Sequence, residues 1–252
     1  MTRPESEYDS HASHNNGPAS QTERKDNRLN YSARKFLQFV HAPGSIIQVF
    51  VKEVDFLPNG NLIGFYDLDH LNELAEDVKQ HSGQATAIFY SLNPVTPSCH
   101  NRAKNCLKPG SDTQPAKNSD ILCRHLMLID IDPVRDSGCS ATDVDKEVAY
   151  WLGRIVSRDL RKAGWPRPVV VDSGNGYHLL YRVDLPVDED GLIQHCLRAL
   201  NDKYSCDLVK IDTQVSAGTQ LAKLPGTMAC KGLSSSERPH RLSGAFRFPS
   251  EF

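Results

Sequence analysis

The segment Leu126-Met127-Leu128-Ile129-Asp130-Ile131-Asp132-Pro133 constrains this chain more than any other. Four apolar residues in a row, then an acid at every second position, read as a buried strand that ends in carboxylates. Successive strand side chains point to opposite faces, so Asp130 and Asp132 project from one face, about 6.5–7 Å apart along the chain. Two neighbouring carboxylates in such a place repel each other, and a divalent cation is the usual way to keep both ionised. The plainer alternative is a strand end carrying two solvated acids.

Around this strand the pattern alternates hairpins with helices. Residues 1–27 hold only Met1 and Tyr8 as large apolar side chains, too few to offset the entropy of ordering, and are expected to form a disordered polar tail. A helical pattern (Tyr31, Phe36, Phe39, Val40) then runs from Asn30 to Pro43-Gly44. Strands are predicted over 46–54 and 62–65, joined by a turn at Pro58-Asn59-Gly60-Asn61, then a helix over about 69–80 and a strand over 86–92. The stretch 96–118, rich in Pro, Ser, Asn and Lys, reads as a long loop. Beyond it come the strand 124–132, a helix over about 142–163 and a hairpin 169–173/177–183 around Gly174-Asn175-Gly176. A helix over about 188–203 and a short strand 208–213 follow, and the remainder reads as irregular and basic. The predicted fold class is α+β with antiparallel or mixed sheets, residues 28–252 forming one domain of two packed modules, about 28–120 and 121–252.

Composition narrows the function classes. With 252 residues the chain is long enough for one large domain or two small packed ones. Its 29 Lys+Arg against 31 Asp+Glu give a formal charge of -2, which excludes a simple polycation but not a locally basic surface. Seven cysteines, an odd number with no Cys-x-x-Cys pair, do not form a disulfide framework and suggest reduced intracellular thiols. The N-terminus has no apolar signal region and no apolar run is long enough to span a bilayer. A soluble, cytoplasmic protein without a membrane partner is expected.

Four further segments could carry chemistry. Asp212, in Leu208-Val209-Lys210-Ile211-Asp212, repeats the acid at a short apolar strand; three carboxylates on adjacent strands would hold one or two Mg²⁺ or Mn²⁺ ions. Taken alone, it reads more readily as a turn residue than as a ligand. In Ser173-Gly174-Asn175-Gly176-Tyr177-His178 the glycines would let backbone N–H groups approach a phosphate and Ser173 would add a hydroxyl, the alternative being an ordinary hairpin turn with a packed histidine. Between 223 and 247, Lys223, Lys231, Arg238, Arg241 and Arg247 outnumber the single acid Glu237, a pattern for a solvated face or a phosphate-binding one. Arg154, Arg158, Arg161, Lys162 and Arg167 form a second basic stretch. Cys99, His100, Cys106, Cys123 and His125 match no regular zinc-finger spacing, so structural zinc is not expected.

In this order and spacing the motifs resemble the archaeo-eukaryotic primase superfamily, specifically the primase–polymerase domains of plasmids, phages and other mobile elements. The resemblance rests on Ile129-Asp130-Ile131-Asp132, on Ser173 to His178, on Lys210-Ile211-Asp212 and on Lys223-Leu224-Pro225-Gly226-Thr227-Met228-Ala229-Cys230-Lys231, with Ile88 to Val95 and Asp120 to Arg124 upstream. It implies an N-terminal α/β unit packed on a C-terminal unit resembling an RNA-recognition motif, with the active-site cleft between their sheets. It also implies metal binding and catalysis by Asp130, Asp132 and Asp212, and nucleotide binding by Ser173, Gly174, Gly176, His178, Lys223 and Lys231. Lys223 stands where relatives often carry Arg, and Ala229 where Asn is common.

The implied activity is a template-dependent nucleotidyltransferase, a DNA primase and/or DNA polymerase acting in DNA replication. It would add NTPs or dNTPs on a single-stranded DNA template with two metal ions, His178 and the lysines offsetting charge in the transition state. Arg154, Arg158, Arg161, Arg238 and Arg241 are the expected nucleic-acid contacts, and a replicative helicase in cis or trans is a possible partner. A metal-dependent nuclease would use the same carboxylates without needing the phosphate-binding residues. A non-catalytic nucleic-acid-binding replication module would not need the intact acids.

Overall fold

The computed structural model describes residues 33–54, 60–250 and 252. The tail expected over 1–27, the start of the first helix and most of the turn before Gly60 lie outside the described residues. In chain order the first half contributes a helix at residues 33–40 (α1), β1 (Ile46–Val54), β2 (Leu62–Asp67), α2 (Leu71–His81), β3 (Ala85–Ser91), a single turn α3 (Pro97–His100) and β4 (Leu107–Pro109). The second half contributes β5 (Arg124–Pro133), α4 (Asp143–Lys162), β6 (Val169–Asp172), β7 (Tyr177–Leu185), α5 (Leu192–Tyr204), β8 (Val209–Ile211), β9 (Leu221–Lys223), β10 (Met228–Ala229), β11 (Arg241–Leu242) and β12 (Gly244–Arg247).

The architecture is α+β, with two five-stranded sheets in the orders β4-β2-β1-β3-β9 and β12-β6-β7-β5-β8, and β10 paired with β11. Every pairing between these strands is antiparallel. One hydrophobic cluster joins the sheets, with Val49, Val51 and Tyr90 from the first and Leu126, Ile129 and Leu180 from the second. Strand β5 lies between β7 and β8. Its apolar run is buried throughout because α4 covers one face while the other turns toward the first sheet, and only Asp130 and Asp132 break the pattern.

Helix α4 begins where Thr142 and Asp145 cap each other: Thr142 Oγ1 accepts the Asp145 N–H at 3.1 Å and Asp145 Oδ2 accepts the Thr142 N–H at 2.8 Å. Ala149, Leu152, Gly153, Val156 and Leu160 recur at helical spacing and form its buried stripe. At Gly153 a side chain would lie 3.4 Å from Ile131 Cδ1, so the helix sits close on β5.

Two expectations need correction. The stretch 96–118 is not simply a loop, since it carries α3 and β4 and is tied back by Arg102, which donates to both Asp120 oxygens at 3.0 Å. The C-terminal stretch is likewise not irregular: it forms β9 to β12, and β9 completes the first sheet through the pairs Phe89↔Lys223, Tyr90↔Ala222 and Ser91↔Leu221. The chain on either side of residue 120 therefore does not map one-to-one onto the sheets. Strands of two to four residues, held by backbone bonds to distant partners, leave no periodic trace in sequence.

Candidate functional site

A cleft of about 620 Å³ opens between the two sheets. The second sheet presents Asp130 and Asp132 from β5, His178 from β7 and Ser173 from the β6–β7 turn, with Asp212 one residue beyond β8. The opposing side carries Lys52, Glu53, Thr86 and Phe89 from β1 and β3, Lys223 from β9, and Lys231.

Register explains the convergence. Asp130 is opposite His178 across β5 and β7, Ile131 is opposite Ile211 across β5 and β8, and the Asp212 N–H donates to the Asp130 carbonyl at 2.9 Å. Three residues distant in sequence thus meet at one sheet position. Burial, and then the neighbouring Asp132 and Asp212 carboxylates, push the Asp130 carboxyl well above the usual range. His178 Nε2 lies 3.4 Å from Asp130 Oδ1, too long for a strong charge-assisted bond, and its Nδ1 is buried without a hydrogen-bond partner. Burial, with Lys223 nearby, lowers the His178 pKa to about 4. Both effects disfavour the charged form of the ring.

Lys223 is nine-tenths or more buried, and its ammonium donates to Thr227 Oγ1 and to the Met228 carbonyl, both at 2.7 Å. Burial brings its pKa down to about 7. The Leu224-Pro225-Gly226-Thr227 turn that holds it needs a left-handed residue, supplied by Gly226 at φ 87°. Thr227 and Ser243 hydroxyls donate to the Leu224 carbonyl at 2.7 and 2.9 Å. Lys223 is thus built into the wall, whereas Lys231 is only partly buried and faces the cleft with fewer constraints.

The Ser173–Gly176 turn also differs from expectation. The Gly174 N–H donates to Asp172 Oδ1 at 2.8 Å and the Gly176 N–H to Ser173 Oγ at 3.0 Å, so both amides are already engaged within the turn and do not point into an anion cradle. Gly176 is needed for another reason: a Cβ there would stand 2.3 Å from the Ile131 carbonyl and 2.5 Å from Asp132 Oδ1. It lets the turn pass close to the acids. Arg238 and Arg241 serve the start of α4: Arg238 donates to the Ser140 carbonyl at 2.7 Å, and Arg241 donates to Asp143 at 2.6 Å and to the Ala141 carbonyl at 2.5 Å. Arg154, Arg158 and Arg161 lie on α4, across the second sheet from the acids.

Arg135 is a cleft residue that sequence reading missed. Its side chain is 7% exposed, donates to the Cys139 and Pro133 carbonyls at 3.1 and 3.0 Å, and reaches within 3.9 Å of Asp132. A cation three residues beyond Asp132 was the available signal. Two candidates for zinc have structural partners instead: His125 lies 2.6 Å from Asp184 and 2.9 Å from the Val40 carbonyl, and His100 lies 3.0 Å from Asn105 Oδ1.

The donor chemistry of the acids suits a divalent cation: hard carboxylate oxygens, with Asp130 Oδ1 buried and lacking a hydrogen-bond partner. Asp212 Oδ1 accepts the Gln214 N–H at 2.8 Å. Among the described residues no group of three His, Cys, Asp or Glu side chains is gathered closely enough to hold a metal.

No protein-family model and no curated protein matches the chain. Among solved structures it is similar to primase RepB', at 11% identity and TM-score 0.47 over 87% of this chain, and it spans 56% of that protein's length. It is also similar to the catalytic domain of primase RepB' in complex with initiator DNA (12% identity, TM-score 0.46, covering 87% of this chain and 85% of the other). A third similarity is to the polymerase domain of Mycobacterium tuberculosis ligase D in complex with DNA (16% identity, TM-score 0.45, covering 86% and 80%). Among the described residues no helix is long and apolar enough to cross a membrane.

Proposed function

We propose that the cleft is the active site of a template-dependent nucleotidyltransferase, a primase and/or DNA polymerase that adds NTPs or dNTPs on single-stranded DNA. The observation that carries this reading is convergence: Asp130, Asp132, Ser173, His178, Asp212, Lys223 and Lys231, singled out from four separated segments, all line one cleft. Asp130, Asp132 and Asp212 would hold two Mg²⁺ or Mn²⁺ ions, which when bound acidify the attacking hydroxyl and neutralise the departing pyrophosphate.

The chain's own groups do the positioning. Asp130 and Asp132 are held rigidly on β5, and Gly176 keeps the turn clear of them. Ser173 Oγ accepts from the Gly176 N–H and so keeps its own proton to donate toward a phosphate oxygen. Lys231 and Arg135 supply positive charge at the cleft, and the His178 ring stands beside Asp130 with Nε2 3.4 Å from Oδ1. Lys223, titrating near neutrality, supplies fuller charge as pH falls below about 7.

The test is incubation with single-stranded DNA, Mg²⁺ or Mn²⁺ and labelled NTPs or dNTPs, with and without a primer. Metal-dependent product is expected from the parent and none from Asp130→Ala/Asp132→Ala. Absence of product from the parent, or equal product from the variant, overturns the reading; strand shortening points to a nuclease instead.

A further inference from the structure

On the other face of the second sheet lies a groove of about 590 Å³ between α4, the edge strand β12, its neighbour β6, and the segment leading into β6. Strand alternation separates it from the cleft: Tyr177 and Leu179 of β7 line the groove, while His178 between them lines the cleft. We propose that this groove is a binding site for single-stranded nucleic acid. The proposal goes beyond the reading of the cleft and does not depend on it.

Three observations carry it. First, aromatic rings cross the groove in a connected series: Trp151 to Tyr150 at 5.6 Å between centroids, Tyr150 to Tyr177 at 5.6 Å and Tyr177 to Phe246 at 6.2 Å. Trp151 and Phe246 are about half exposed, at 52% and 49%, although both belong to regular elements. Second, Arg154, Arg158, Arg161, Arg167 and Arg247 line the groove and no carboxylate does. Arg158 pairs with its neighbour Asp159, but the other four have no carboxylate partner among the described residues. Third, Arg154, Arg158 and Arg161 follow i, i+4, i+7 spacing on α4 and spread positive charge along about 10 Å of helix. That extent suits a chain of repeated anions better than one.

Bases stack on aromatic faces while arginines follow the backbone, which is how single strands are held without sequence preference. A duplex keeps its base faces within its own stack, and an acidic peptide would engage the guanidiniums yet leave the ring faces in water. Arg154 already lies 5.4 Å over Trp151 and 5.8 Å over Tyr150, poised to share those rings with a base.

The test is fluorescence anisotropy of a labelled twelve-nucleotide oligo-dT with the full chain, in EDTA and without nucleotides, so that it is silent on cleft chemistry. Trp151→Ala and Phe246→Ala should each weaken binding about tenfold, within the range for loss of one base-stacking contact. Arg154→Glu/Arg161→Glu should weaken it further and flatten its salt dependence. Oligo-rU should bind comparably, and a duplex of equal charge or an oligo-glutamate peptide much more weakly. No binding by the parent overturns the proposal. So does unchanged affinity in the aromatic variants, whose folding is checked by thermal melting, or duplex or peptide binding equal to that of oligo-dT.

Discussion

The two faces of the second sheet differ in charge, burial and construction although one strand, β7, serves both. The cleft face carries acids whose burial, and then mutual repulsion, raise the Asp130 carboxyl, with neighbours locked by hydrogen bonds: Lys223 to Thr227, the turn glycines to Asp172 and Ser173. The groove face carries exposed rings and arginines with few internal partners. The difference teaches that one sheet can bury and hydrogen-bond the charged groups of one face while the rings and arginines of the other keep their contacts open.

Perturbing one face should leave the other intact. The largest expected effect is on the cleft: Asp130→Ala/Asp132→Ala should abolish nucleotide addition, a loss of at least about a thousandfold, while oligo-dT binding in EDTA stays within a factor of about two. EDTA alone should likewise abolish addition by the parent. Equal losses of both properties would break the distinction between the faces.

Next in size is Gly176→Ala, which drives a Cβ against the Ile131 carbonyl and Asp132. It should cost about 2–4 kcal/mol by urea denaturation. Asp130→Asn should act in the opposite sense: a carboxyl whose folded pKa is raised loses stability as pH rises above its unfolded pKa, so at pH 7 without metal the amide melts higher. About 2–4 °C is expected for each kcal/mol of repulsion relieved.

Behind the cleft, the seam between the sheets buries His41 against His125 (5.8 Å between centroids) and Tyr90 (5.9 Å), and burial first, then His125, lowers its pKa to about 3. The unfolded chain therefore takes up a proton that the folded one refuses, and stability is lost as pH falls from about 6.5 toward 3, with a slope approaching 1.4 kcal/mol per pH unit. His41→Phe should flatten that acid limb in melts between pH 7 and 4. The smallest effect is on the open face: Trp151→Ala should change stability by less than about 0.5 kcal/mol, and a larger loss would make that ring a packing residue.

Much of this was legible in sequence. The apolar run into Asp130 and Asp132 specified β5 and its face, the helical stretch read over about 142–163 located α4 within a residue, and Asn175-Gly176 marked the β6–β7 turn. These are local signals of periodicity, capping and turn chemistry. The attachment of β9 to the first sheet was not legible, because Leu221-Ala222-Lys223 has no pattern of its own and is held by backbone bonds to β3. Nor were the commitments of the Gly174 and Gly176 amides, which depend on how Asp172 and Ser173 turn. The basic residues of 154–167 were evident, but not their side of the sheet.

The sequence by itself determined which residues are acidic, basic or aromatic, which share a strand face, and where the main elements begin and turn, since these follow from near-neighbour sterics and a period of 2 or 3.6. Only the tertiary structure decided that Asp212 meets Asp130, that Lys223 and His178 are buried and lose basicity, and that the arginines of α4 lie across the sheet from the acids. Those outcomes depend on pairings between distant segments, where burial and the field of neighbouring charges set what each group can do.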